Sequence, residues 1–188
     1  MWPDRRLIDV LQIEHPILLS PMAGFGTVDL AAPVSAAGGL GSIPCAGMEP
    51  ESAAKTIRAL RGLTDKPINV NFFCHVQAKI TTDREEAWRG RLLPYYRELG
   101  IDPEIRVPRV DIPSFDEARC RIVEDTKPEV VSFHFGLPDS TLLARVKAVG
   151  CRIIASATTV AEALWLETRG VDIIIAQGYE AGGQPARA

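Results

Sequence analysis

Cysteine and histidine are too sparse in this chain to build a site by themselves. The four cysteines, Cys45, Cys74, Cys120 and Cys151, stand far apart and form no Cys-x-x-Cys pair. That spacing indicates neither a zinc site nor a disulfide framework, and buried thiols are the expected state. The three histidines, His15, His75 and His134, also lack metal-binding spacing. No block of like charges occurs, and 21 basic against 24 acidic residues leave a net charge of -3. Neither nucleic acid nor an anionic membrane is therefore expected as a partner. No apolar stretch approaches the roughly 18 residues of a spanning helix. The start, Met1-Trp2-Pro3-Asp4-Arg5-Arg6, is not followed by an apolar run of signal-peptide length. A cytoplasmic location is the expectation.

What is present is a rhythm of short apolar runs and helical stretches. With 188 residues, one domain with a real core is the default. Pro16 to Met22 reads as a buried strand, followed by a Gly-containing turn. Val28 to Ala37 is Ala-rich and helical and closes on Gly38-Gly39. Leu40 to Pro44 is a second strand, Pro50 to Leu60 a helix, and Ile68 to Phe73 a third strand. The alternation returns with strands at Val130 to Phe135, Arg152 to Ala157 and Asp172 to Gly178, separated by helices at Ser140 to Val149 and Val160 to Thr168. Most of these strands are near-continuously apolar. Such runs belong to strands buried on both faces, hence to a parallel sheet with helices outside.

Between these two halves the rhythm breaks. An inserted helical and loop segment is expected at about 74–126, with a helix over Asp83 to Leu99, a proline-bearing loop to Pro113, and a further helix over Asp116 to Asp125. Six strand-helix steps fit the first three quarters of an eight-stranded (β/α) barrel. A doubly wound open sheet is the alternative, but no G-x-G-x-x-G follows the first strand. The fold class expected is thus α/β, an incomplete (β/α)8 barrel with about six of eight strands.

Polar residues stand at or near the C-terminal ends of the strands: Ser20, Asn71, His134, Ser156 and Gln177. Barrel enzymes carry their sites at that end. Pro21, Met22, Ala23 and Gly24 put small residues and backbone amides where a flat ring can lie close to the chain. Asn71 and Gln177 each offer donor and acceptor in one amide. Gly182 and Gly183 allow close backbone approach. His134, flanked by Phe133 and Phe135, reads either as a satisfied core histidine or as a pocket residue.

Five pieces together resemble the nitronate monooxygenase family, formerly called 2-nitropropane dioxygenases. They are Pro21-Met22-Ala23-Gly24, Ala36-Ala37-Gly38-Gly39-Leu40-Gly41, Val70-Asn71-Phe72-Phe73, Val131-Ser132-Phe133-His134-Phe135-Gly136, and Ala176-Gln177-Gly178-Tyr179-Glu180-Ala181-Gly182-Gly183. The resemblance implies an FMN-dependent barrel enzyme that oxidatively denitrifies alkyl nitronates such as propionate 3-nitronate with oxygen. It implies that Pro21, Met22, Ala23, Gly24, Asn71, Gln177, Gly182 and Gly183 contact FMN. It also implies that His134 is the catalytic-site residue that hydrogen-bonds the nitro group.

The match stops after Gly183. The family continues Gly-Gly-His and then Arg-Gly, whereas this chain reads Gln184-Pro185-Ala186-Arg187-Ala188. A C-terminal truncation is expected from that break, with open sheet edges and self-association through them. Two other readings stay open on sequence alone. One is an inactive barrel fragment. The other is a sister FMN barrel that reduces quinones or enoyl thioesters with NAD(P)H.

Overall fold

The computed structural model describes residues 2–77, 79, 81–105 and 112–181. In chain order, α1 spans Arg6–Leu11, α2 Val28–Ala36, β1 Gly41–Pro44, α3 Pro50–Arg61 and β2 Ile68–Phe73. Then follow α4 Thr82–Glu98, α5 Glu117–Thr126, β3 Val130–His134, α6 Ser140–Ala148, β4 Arg152–Ala157, α7 Val160–Glu167 and β5 Ile173–Ala176. All neighbouring strands pair in parallel, in the order β1-β2-β3-β4-β5. The order follows the chain without a reversal. A doubly wound sheet would reverse at a switch point.

The segment expected as the first strand keeps its place but not its length. Leu18 forms one parallel bridge to Leu40, with Leu19 N–H donating to Leu40 O at 2.9 Å and Leu40 N–H to Ile17 O at 2.9 Å. Pro21 has no N–H for the next ladder bond, and Ile17 N–H turns back to His15 O at 2.7 Å, so the pairing stays at one bridge. Among the described residues, five strands and one bridged segment make six parallel places.

Alternation along the strands separates two faces. Ile43, Ile68, Val70, Phe72, Val131, Phe133 and Ile153 pack with residues of α2, α3, α5 and α6 in one buried cluster. On the same face, Ala155 and Ala157 meet Leu166 of α7. The opposite face, called the inner face below, is covered at its N-terminal end by α1. There Ile8, Leu11 and Ile13 pack on Leu40, Val130 and Ile154. Helices α2, α3, α5, α6 and α7 all packing on one side, together with sequential strand order, mark a singly wound (β/α) barrel architecture rather than an open doubly wound one. The helix α1, of six residues, is too short to leave a clear period in the sequence.

The helices start where the sequence supplies caps. Thr27 Oγ1 accepts from Leu30 N–H at 3.3 Å, Asp116 from Arg119 N–H at 3.0 Å, and Asp139 from Thr141 N–H at 2.8 Å. Thr159 and Glu162 form a reciprocal capping box at α7, with bonds of 3.1 and 3.2 Å. Each satisfies helix donors that otherwise lack partners. Because a crossover helix begins at the C-terminal end of the strand before it, these caps also fix the loops that border the site.

Residues Val76–Ile112 form a compact unit of their own. Its helix α4 buries none of its residues. Arg91 lies over the Trp88 ring, 5.2 Å from the centroid, and Arg89 donates to Pro103 O at 2.6 Å. Glu117–Thr126 belongs instead to the sheet unit, where Cys120, Ile122 and Val123 enter the core.

Candidate active site

Strand register brings Asn71, His134 and Ser156 onto one face and one end. Asn71, Phe73, Ser132, His134 and Ser156 alternate with the helix-facing residues Val70, Phe72, Val131, Phe133 and Ala155, so all five lie on the inner face. Asn71 stands level with Pro44 on one side and Ser132 on the other, and Phe73 pairs with His134 one pleat further along. Gln177 follows β5 directly and donates its backbone N–H to Ala157 O at 2.9 Å. The inner face is apolar where α1 covers it and polar toward the C-terminal end.

The turn containing Pro21, Met22, Ala23 and Gly24 closes the first place of the sheet. Phe25 N–H and Gly26 N–H both donate to Met22 O, at 3.1 and 2.7 Å. A Cβ on Gly26 would come within 2.7 Å of the Pro44 side chain. That closeness seats the turn on the C-terminal end of β1, beside Asn71. Met22 is 46% exposed and Phe25 74% exposed, so this turn presents apolar surface at the open end.

Asn71 is buried and held on both sides of its amide nitrogen. Nδ2 donates to Ser132 Oγ at 3.0 Å and to Ser132 O at 3.2 Å. Asn69, two residues earlier on the same face, donates to Ser42 Oγ at 3.0 Å. Ser42, Asn69, Asn71 and Ser132 thus form a buried polar layer on strands otherwise filled with Ile, Val and Phe. Most buried polar groups are bonded; here Asn69 Oδ1 is an exception, buried with no hydrogen-bond partner among the described residues. The sequence pattern indicated Asn71 but not Ser42, Asn69 or Ser132. Their period-two spacing on neighbouring strands was the available signal.

His134 is half-buried at the end of β3. Its ring lies 5.9 Å from that of Phe73 and 4.1 Å from that of Phe135. Phe135 also meets Phe73 edge to face at 5.1 Å. Directly after His134 the backbone turns left-handed twice, with φ of 66° at Phe135 and 105° at Gly136. For a phenylalanine that conformation costs about 1–2 kcal/mol. The aromatic contacts of Phe135 offset the cost and fix the loop beside His134. A cavity of 270 Å³ lies nearby, lined by Gly136, Ser156, Ala161, Glu162, Trp165 and Leu166.

Thiol chemistry does not fit this end. Burial pushes the Cys45 thiol up to about 12 and raises that of Cys74 further. Both stay protonated at neutral pH, and a protonated thiol is a poor nucleophile. Among the described residues, no group of His, Cys, Asp and Glu could hold a metal ion. Gly182 and Gly183 lie outside the described residues.

The comparisons with known proteins agree with this architecture. A family model described as nitronate monooxygenase matches residues 4–187. A nitronate monooxygenase of Paraburkholderia phytofirmans is 44% identical over 181 residues, covering 95% of this chain and 49% of its own length. One of Pseudomonas aeruginosa is 43% identical over 180 residues, covering 95% and 51%. The chain therefore spans about half the length of these relatives. Among solved structures, a nitroalkane oxidase from Streptomyces ansochromogenes superposes with a TM-score of 0.78 at 34% identity, over 96% of this chain and 50% of that one. FabK from Thermotoga maritima superposes with a TM-score of 0.68 at 30% identity, over 97% and 46%.

Proposed function

Because the chain belongs to the nitronate monooxygenase family, we propose that its inner-face site serves FMN-dependent oxidative denitrification of alkyl nitronates, with oxygen as co-substrate. The observation that carries this reading is the shared placement of Asn71 and His134 on one face near the C-terminal strand ends, with Gln177 directly after β5. Barrel sites are built from such strand ends.

The residues present fit a flavin ring. A flat, largely apolar ring with one polar edge needs apolar surface and a few fixed amides. Met22 and Phe73 supply the first, and Asn71 and Gln177 the second. We assign Pro21, Met22, Ala23, Gly24, Asn71 and Gln177 to the cofactor, with Gly182 and Gly183 joining them as the family pattern implies. When bound, FMN would supply the redox chemistry by which a nitronate is oxidised and oxygen reduced. The chain's own part is to bind and orient. His134 donates a hydrogen bond to the negatively charged nitro oxygens and fixes the substrate against the aromatic wall of Phe73 and Phe135. A preformed nitronate is already deprotonated and needs no general base.

The reading is tested by oxygen consumption of the FMN-supplemented chain with propionate 3-nitronate and no nicotinamide. Nitronate-dependent oxygen uptake is expected. Oxidation of NAD(P)H by a quinone or an enoyl thioester, without nitronate turnover, would assign the chain to the sister reaction. His134→Asn is expected to raise the Michaelis constant for nitronate or to lower turnover about tenfold, the worth of one strong hydrogen bond. Bound FMN should be unchanged. Loss of FMN with unaltered turnover per bound cofactor would return His134 to the core.

Self-association belongs to the same proposal. β5 pairs with β4 on one side only among the described residues, and Ile175 is 42% exposed. An apolar strand edge without Lys, Pro or a bulge is a template for another chain. Ile175→Lys should shift the sedimentation profile of the 188-residue chain toward monomer. An identical distribution for both proteins would place the contact elsewhere.

A further inference from the structure

We infer that Ser132 is a positioning residue that restricts Asn71 to accepting a hydrogen bond from its ligand. For a flavin, that makes the N–H of the pyrimidine edge the group Asn71 reads. The inference rests on the flavin assignment above for its ligand, but not for the role of Ser132.

The orientation of the Asn71 amide is fixed by chemistry. One of its neighbours, 3.2 Å away, is the backbone carbonyl oxygen of Ser132, which can only accept. The amide group facing it must be the nitrogen, because an amide oxygen there would oppose a carbonyl that cannot donate. The Ser132 hydroxyl oxygen lies 3.0 Å from the same nitrogen and accepts as well. A carboxamide nitrogen has two N–H donors, and both are taken by one residue. What Asn71 retains for a partner is its oxygen alone. Asn71 is only 6% exposed and Ser132 4%, so water competes little for these bonds. The register that places the two residues side by side on β2 and β3 comes from ladder bonds, not from the side chains.

The consequence is selectivity. A free asparagine is indifferent, because it can turn to meet a donor or an acceptor. An asparagine whose nitrogen is clamped from the next strand discriminates. An oxidised isoalloxazine ring has a single N–H, at N3, between two carbonyls. A ligand edge made of acceptors only would leave the Asn71 oxygen opposed by lone pairs and unpaired.

Two measurements test this, one of them without any ligand. In the 188-residue chain, the side-chain NH2 of Asn71 should exchange slowly with solvent by NMR, and Ser132→Ala should speed that exchange about tenfold, while Ser132→Thr, which keeps the hydroxyl, should not. Lumiflavin, which has the ring but no phosphate, should bind about tenfold more tightly than its N3-methyl derivative, judged by fluorescence quenching. In Asn71→Ala that difference should vanish. Unchanged exchange in Ser132→Ala would overturn the role of Ser132. Equal binding of the two flavins to the unsubstituted chain would overturn the acceptor role of Asn71. Failure of both flavins to bind would overturn the flavin assignment, and the exchange rates would still decide whether Ser132 holds Asn71.

Discussion

Gly41→Val is expected to prevent the sheet unit from folding. A Cβ at Gly41 would stand 2.2 Å from Ala31 O and 2.6 Å from Ser35 Oγ. The first neighbour is backbone of α2, so no side chain can rotate away. The position is also a junction. Gly41 N–H donates to Ser35 Oγ at 2.9 Å, and Ser35 Oγ donates to Pro67 O at 2.9 Å, just before β2. Pushing α2 outward breaks both bonds and opens the core between Ala31, Ala32 and Ile43. Overpacking and lost buried hydrogen bonds together cost about 3–5 kcal/mol, a large share of the stability of a domain this size. Circular dichroism during thermal unfolding reads the outcome. Gly62→Ala is the control, because its Cβ would meet only Ala59 O at 3.4 Å and Arg58 O at 3.6 Å. A Gly41→Val protein that melts within a few degrees of the unsubstituted one would contradict the packing described.

Asn71→Leu should remove flavin affinity while leaving the chain folded. The substitution deletes the acceptor offered to the ring and fills its place with methyl groups of similar volume. At least about tenfold weaker binding follows from one lost hydrogen bond, and more if the leucine also crowds the ring. The fold should tolerate the change, because Ser132 O keeps its place in the parallel ladder and Asn71 is flanked on its own strand by the buried Val70 and Phe72. Isothermal titration with FMN, alongside a melting curve, separates the two effects. An Asn71→Leu chain that binds FMN as the unsubstituted chain does would remove Asn71 from the site.

Much of this architecture was legible because strands and helices in a parallel α/β chain write different periods. The runs Ile68 to Phe73 and Val130 to Phe135 are apolar on the helix-facing side at every second residue, and the polar residues Asn69, Asn71, Ser132 and His134 occupy the alternate positions. That alternation already places Asn71 and His134 on one face. It does not say which polar residues meet across strands. The pairing of Asn71 with Ser132 depends on register between segments 61 residues apart. Nor could an apolar run such as Pro16 to Met22 reveal that it narrows to one bridge at Leu18. The extent of the inserted segment escaped for a related reason. Asp116 to Asp125 follows a proline-bearing loop in sequence, yet Cys120, Ile122 and Val123 pack under β2 and β3 in the same core as the other barrel helices. The left-handed turn at Phe135 is set by packing against Phe73, which no local rule for a phenylalanine anticipates.

The proposed site puts a flavin ring on the inner face at the C-terminal end of the sheet. Intermolecular nuclear Overhauser effects between the ring methyl protons of FMN and the isotope-labelled chain test it most directly. The account predicts saturable effects from the flavin to Met22, Phe73 and His134, diminished in Asn71→Leu. Effects confined to Trp165 and Leu166, at the cavity beside α7, or a chain that shows no saturable contact with FMN, would contradict it.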